Sequence, residues 1–204
     1  MVTLANSVID GSVRAATAPL LKPDGLAKVV PALSTEALFF YRMDTAEHER
    51  RVSVGAARLD RMHPLETLMS LPVGLPVPLS ALAQEERRAV RALPAGAADR
   101  DRATVTRRAV RPLHVDLAVV RASGWKRGLE EAGRFAPYCR RAMLLTRRPA
   151  RMSEALVEAD FYGIGVFLVA DDEVEMVLEP RDYRPLRYTA AAWSFVEELY
   201  QRVR

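Results

Sequence analysis

LHVDLAVVRASGWKRGLEEAGRFAPYCRRAM, residues 113–143, is the stretch whose reading decides the fold. LHVDLAVVR (113–121) has few polar positions, the pattern of a strand covered on both faces. Ala122-Ser123-Gly124 turns the chain, and Trp125, Leu129, Ala132 and Ala136 then recur at i, i+4, i+7 and i+11 as one apolar helical stripe. Arg127, Glu130, Glu131 and Arg134 fall off that stripe. Pro137 removes a helical N–H, so the helix ends or kinks near Ala136. AMLLT (142–146) returns to a strand pattern.

Toward the C-terminus, MSEALVEADFYG (152–163) reads as a short helix stopped by Gly163. GVFLVA (165–170) and VEMVLEP (174–180) read as strands separated by a turn at Asp171-Asp172. Trp193, Val196, Leu199, Tyr200 and Val203, three or four apart, predict a terminal amphipathic helix. Toward the N-terminus, RATVTRRAVRPL (102–113) alternates small or β-branched residues with arginine. This predicts a half-exposed strand neighbouring 113–121, with Arg111-Pro112 as the bend.

Residues 5–21 have roughly helical spacing and end at the turn Pro23-Asp24-Gly25. Ser34 can cap a second helix with Glu36 in its first turn and Leu38, Phe39 and Met43 on its apolar side, fading in the charged run 47–51. VSVGAARL (52–59) fits a strand or a helix. Pro64, Pro72, Pro76 and Pro78 make 63–79 a connector, after which Ser80 begins a short helix whose Leu82, Val90 and Leu93 face a core. Pro94-Ala95-Gly96 ends it. The fold class is α/β or α+β, a mixed central sheet flanked by helices with a helical N-terminal extension. The expected organisation is a single domain over 1–204, with an N-terminal helical part (1–62), a Pro-rich connector or helical insertion (63–100) and an α/β core (101–204).

With 50% apolar and 27% charged residues the chain can bury a core, and no apolar run approaches the roughly 20 residues of a membrane helix. Polar residues and Asp10 interrupt residues 1–21, a poor secretory signal. Cys139 is alone, so no internal disulfide forms, and His48, His63 and His114 are too few and too scattered for structural zinc. The expectation is a cytoplasmic protein without a membrane partner. Only Lys22, Lys28 and Lys126 are lysines, an arginine bias that reads as genomic base composition. Between Asp99 and Arg151 stand 14 basic residues against five acids, a regional charge of +9 on a chain of net +4. Such a region can hold phosphate backbones by releasing counterions, or it can be a solvated face.

Residues 104–169 resemble the restriction-endonuclease-like PD-(D/E)XK superfamily, in the order of elements and in VVR (119–121), Trp125, Glu131-Ala132, Phe135 with Tyr138, AMLLT, and the Tyr162-Gly163-Ile164-Gly165-Val166 strand entrance. The resemblance implies a restriction-endonuclease-like sheet and, in a working member, two acids holding a divalent metal plus a lysine that orients the attacking water. Here the second acid is Val119 and the lysine is Arg121. Valine cannot ligate a hard cation, and arginine is no base near neutral pH.

The resemblance therefore implies a nucleic-acid-associated protein with a degenerate catalytic site. Arg107, Arg108, Arg111, Arg121, Lys126 and Arg127 would contact phosphates, with DNA as the expected nucleic acid and no cofactor or metal expected. Two alternatives stay open. One is an active Mg²⁺-dependent nuclease that replaces the lost acid with Glu131 and uses Asp101 or Asp116 as the other carboxylate. The other is a protein–protein interaction or regulatory module facing an acidic partner. His114 and Cys139 read as structural, Trp125 as core, and the oligomeric state is open.

Overall fold

The apolar run at 113–122 does form a strand, and its two sheet neighbours come one from before it and one from after it in the sequence. The computed structural model describes residues 11–170 and 173–204. In chain order the elements are helix α1 (residues 11–17), strands β1 (Leu26–Ala32) and β2 (Thr35–Met43), helices α2 (Thr45–Ser53) and α3 (Met62–Ser70), strand β3 (Pro76–Pro78) and helix α4 (Gln84–Arg91). There follow strands β4 (Ala98–Arg100), β5 (Thr104–Arg107) and β6 (Leu113–Ala122), helix α5 (Trp125–Gly133), strand β7 (Arg140–Leu145), helix α6 (Met152–Tyr162), strands β8 (Gly165–Ala170) and β9 (Glu173–Leu178), and helix α7 (Ala190–Val203). The chain forms two compact units, Met1–Arg42 with Val115–Pro185, and Met43–His114 with Leu186–Arg204.

The first unit is built on a six-stranded mixed sheet of order β1-β2-β6-β7-β8-β9. β1 pairs β2 and β8 pairs β9 antiparallel, whereas β6, β7 and β8 run parallel. Parallel neighbours need crossovers, which α5 and α6 supply. The strand period of two divides the apolar residues between the faces. Leu38 and Phe40 of β2, Leu117 and Val119 of β6, Leu144 of β7 and Phe167 of β8 form one cluster with Val13 of α1. The alternate residue Phe39 meets Phe135, just beyond α5, edge-to-face at 5.4 Å. α5 lies close on the sheet at Gly128, where a Cβ would stand 2.6 Å from Met143 Sδ. A left-handed Gly163 (φ 67°) ends α6, as the sequence predicts.

Here the structure corrects one expectation. The helix expected from Ser34 is strand β2, joined to β1 by the two-residue turn Leu33-Ser34, both residues at positive φ (50° and 62°). Hairpin turns of this kind usually carry Asn-Gly, and Leu-Ser gives no such signal. Of the first predicted helix, residues 11–17 are helical and Ala18–Leu20 continue as a 3₁₀ turn. Residues 5–10, and the turn at Asp171-Asp172, lie outside the described residues.

The second unit packs α2, α3, α4 and α7 with a three-stranded antiparallel sheet of order β3-β5-β4. Leu65 and Leu68 of α3, Val90 of α4, Val105 of β5 and Trp193 of α7 share its core. Leu82, Val90 and Leu93 are buried, as their spacing predicts. Three expectations change. The connector 63–79 contains α3, which tolerates Pro64 because a first-turn residue has no helical N–H partner to lose. It also contains edge strand β3, where Pro76 and Pro78 flank Val77. The charged run 47–51 is the body of α2, capped by Asp44 accepting from the Glu47 N–H at 2.9 Å. The strand expected beside β6 is β5, but its partners are β3 and β4 in the other sheet.

Candidate functional site

In the first unit the segment from β6 to α5 brings two of the three predicted carboxylates onto the sheet, each with its own partner. Asp116 of β6 accepts both Arg42 Nε and Arg42 Nη2 at 2.9 Å, a bidentate pair with the end of β2. That hydrogen bond is the main cause raising the Arg42 pKa. Glu131 of α5 is buried (9% exposed), accepts Arg127 Nε at 2.7 Å and Thr35 Oγ1 at 3.3 Å, and so touches the beginning of β2. Arg42 lies seven residue steps along extended β2 from Thr35, about 23 Å of strand. Asp116 and Glu131 therefore cannot share one metal ion.

Asp101 belongs to the second unit. It closes the β4–β5 turn, accepting from the Ala103 and Thr104 amides at 2.7 and 2.6 Å and from Thr104 Oγ1 at 2.8 Å. The backbone amide bonds, that from Ala103 first, hold its pKa below the ordinary value. Among the described residues no group of three or more His, Cys, Asp or Glu could hold a metal ion. The donor set suggested by the sequence does not fit a shared Mg²⁺, because the oxygens that would ligate it are committed to guanidinium, hydroxyl and amide donors in separate places.

Val119, where the sequence resemblance would place a second acid, is 3% exposed and packs in the cluster with Leu117, Leu144 and Phe167. Arg121, two residues on, is exposed, and so are Lys126 and Arg127 at the start of α5. Lys126 Nζ lies 5.4 Å from the Trp125 ring centroid, a cation–π contact on a half-buried tryptophan. Cys139 is fully buried, and desolvation pushes its thiol pKa up to about 12, which leaves it protonated and inert as expected.

The other three predicted phosphate-binding residues are in the second unit and differ from one another. Arg108 pairs with exposed Asp99 at 2.6 Å. Arg107 Nη1 donates to the carbonyls of Leu68, Met69 and Leu71 at 3.2–3.3 Å, closing the C-terminus of α3, and its guanidinium lies 4.9 Å over the Trp193 ring. Arg111 stacks 3.9 Å from the Tyr188 centroid. Arg107 and Arg111 face one hollow of ≈ 360 Å³, lined also by Met69, Val110, Thr189 and Trp193.

Sequence reasoning missed the aromatic walls of that hollow and the buried charges beneath α7. Arg51 donates to Glu47 at 2.6 Å, to both oxygens of Glu197 at 2.9 and 2.7 Å, and to the Val110 carbonyl at 3.0 Å. Glu197, with no solvent exposure, also accepts Trp193 Nε1 at 2.9 Å. Only Glu197 in the apolar stripe of α7 hinted at this, since a carboxylate there must find a partner. Comparison with protein-family models, with curated proteins and with solved structures gave no match.

Proposed function

We propose that the chain is a nucleic-acid-associated protein of the restriction-endonuclease-like kind whose catalytic motif has been lost. One observation carries the reading: at the end of β6, the acid position is a core valine while Arg121, Lys126 and Arg127 follow it as exposed cations. The ladder β6-α5-β7-α6-β8 supports the fold likeness, because it repeats the strand–helix–strand–helix–strand order on which the sequence resemblance rests. Separate commitment of Asp101, Asp116 and Glu131 supports loss of metal chemistry. Cations displayed on a helix start and a strand end contact phosphates without reading bases, so affinity comes from counterion release and is independent of sequence.

Fluorescence anisotropy of a labelled DNA duplex against salt tests this. Three phosphate contacts give a slope of about −2.7 in log K against log salt, and Lys126→Gln reduces its magnitude by about one. A flat salt response, or cleavage of the duplex in Mg²⁺, would refute the reading.

A further inference from the structure

The hollow between β5 and α7 holds an electrostatic arrangement that nothing within the described residues balances. Arg107 and Arg111 line it together. Burial lowers the Arg107 pKa, and the like charge of Arg111 lowers it further, with only partial opposition from Glu47. Arg107 is positioned by carbonyl groups and by the Trp193 ring. Arg111 is positioned by the Tyr188 ring and, among the described residues, makes neither a hydrogen bond nor an ion pair. Two guanidiniums are thus brought to one hollow by neutral groups. The neighbouring pair Arg50 and Arg51, by contrast, is compensated by the carboxylates of Glu47 and Glu197.

The floor adds to the same sign. Thr189 caps the fourteen-residue helix α7 by accepting the Ala192 N–H at 3.1 Å, so the positive end of the helix dipole opens at this wall. Two forked cations and a helix start suit a doubly charged tetrahedral oxyanion, since guanidinium geometry matches paired phosphate oxygens. A hollow of this size, walled by Met69, Val110 and Trp193, admits the end of a molecule.

We propose that this hollow binds a terminal phosphomonoester, carried by a free nucleotide or by the 5′ end of a nucleic-acid strand, with Arg111 as the principal ligand and Arg107 as the fixed second cation. The inference rests on that reading for the class of ligand, but it uses Arg107 and Arg111, two arginines that the sequence resemblance implies as phosphate contacts and that the proposed function leaves unused. It does not depend on Arg121, Lys126 or Arg127.

Isothermal titration calorimetry tests it with inorganic phosphate, a nucleoside monophosphate, and a short oligonucleotide carrying either a 5′-phosphate or a 5′-hydroxyl. Phosphate-bearing probes are expected to saturate one site, with Arg111→Gln weakening them about tenfold or more, Arg111→Lys giving an intermediate loss, and Arg91→Gln, on the exposed side of α4, changing nothing. Thermal melts check that Arg111→Gln remains folded, as expected for a side chain that makes no hydrogen bond among the described residues; Arg107 is avoided because it closes α3. Binding of the mononucleotide but of neither oligonucleotide supports the hollow while overturning the backbone reading. Equal affinity for the two oligonucleotides overturns the hollow and leaves the backbone reading standing. Absence of saturable binding by every phosphate probe, or affinity untouched in folded Arg111→Gln, also overturns it.

Discussion

The two units manage charge in opposite ways. In the sheet unit the centre is apolar, and the pair Arg42–Asp116 keeps side chains about a fifth exposed (23% and 21%). In the helical unit Glu47, Arg51 and Glu197 are themselves buried, at 3%, 5% and 0% exposure. The contrast teaches that ion pairs of similar length have different weight. Removing one member of the buried set strands its partners in a low-dielectric interior, whereas water screens and replaces the peripheral pair. The two tryptophans allow each unit to be followed alone, since Trp125 lies in the first and Trp193 in the second.

The largest expected effect is in the helical unit. Arg51→Ala leaves buried Glu197 without its cation and Glu47 with Arg50 alone, and should destabilise that unit by about 3–5 kcal/mol, read by Trp193 fluorescence in urea with Trp125 replaced by Phe. Should Asp116→Ala cost the sheet unit as much, the contrast fails; the expected loss there is about 0–1 kcal/mol. Between these lies Gly165→Ala, whose new Cβ would stand 2.7 Å from Pro180 Cδ and 2.8 Å from its nitrogen. Overpacking of this kind costs about 1–3 kcal/mol, and Trp125 fluorescence should detect it.

The smallest effect is a pH dependence. Burial pushes the Glu47 carboxyl up, but hydrogen bonds from Arg50 and Arg51 outweigh it and hold the folded value below the ordinary one. A depressed carboxylate contributes stability that is present above its unfolded pKa and is lost as pH falls through the folded value. Acidification below the ordinary carboxylate range should therefore weaken the helical unit, and Glu47→Gln should flatten that acid limb in thermal melts. An unchanged limb would place the acid sensitivity elsewhere.

Much of the sheet unit was legible because local signals agreed with tertiary context. From β6 to β9 each element has an apolar period, and Gly163 or the Ala122-Ser123-Gly124 turn punctuates it. The β1–β2 hairpin was illegible because Leu33 and Ser34 adopt a glycine-like backbone without glycine. Prolines concealed α3 and β3, since their tolerance depends on first-turn and edge positions that only the fold defines. The charges at 47–51 resemble a solvated run until α7 brings Glu197 to them, a pairing 146 residues apart in sequence. Glu131 misled in the opposite direction: it lies off the stripe of α5, yet Thr35 of β2 approaches and encloses it.

The interleaving of the two units sets an order of assembly. Residues 43–114 are synthesised between β2 and β6, which are neighbours in one sheet, so that sheet must close a 72-residue loop. The chain-length contribution to closing it is about 3.8 kcal/mol. On the ribosome the sheet unit has all its strands once β9 has emerged, but the helical unit still lacks α7. Until then Arg51 has no Glu197 and Arg107 has no Trp193. The central segment of the nascent chain is thus made early and completed late, and chaperone dependence should centre on that waiting segment.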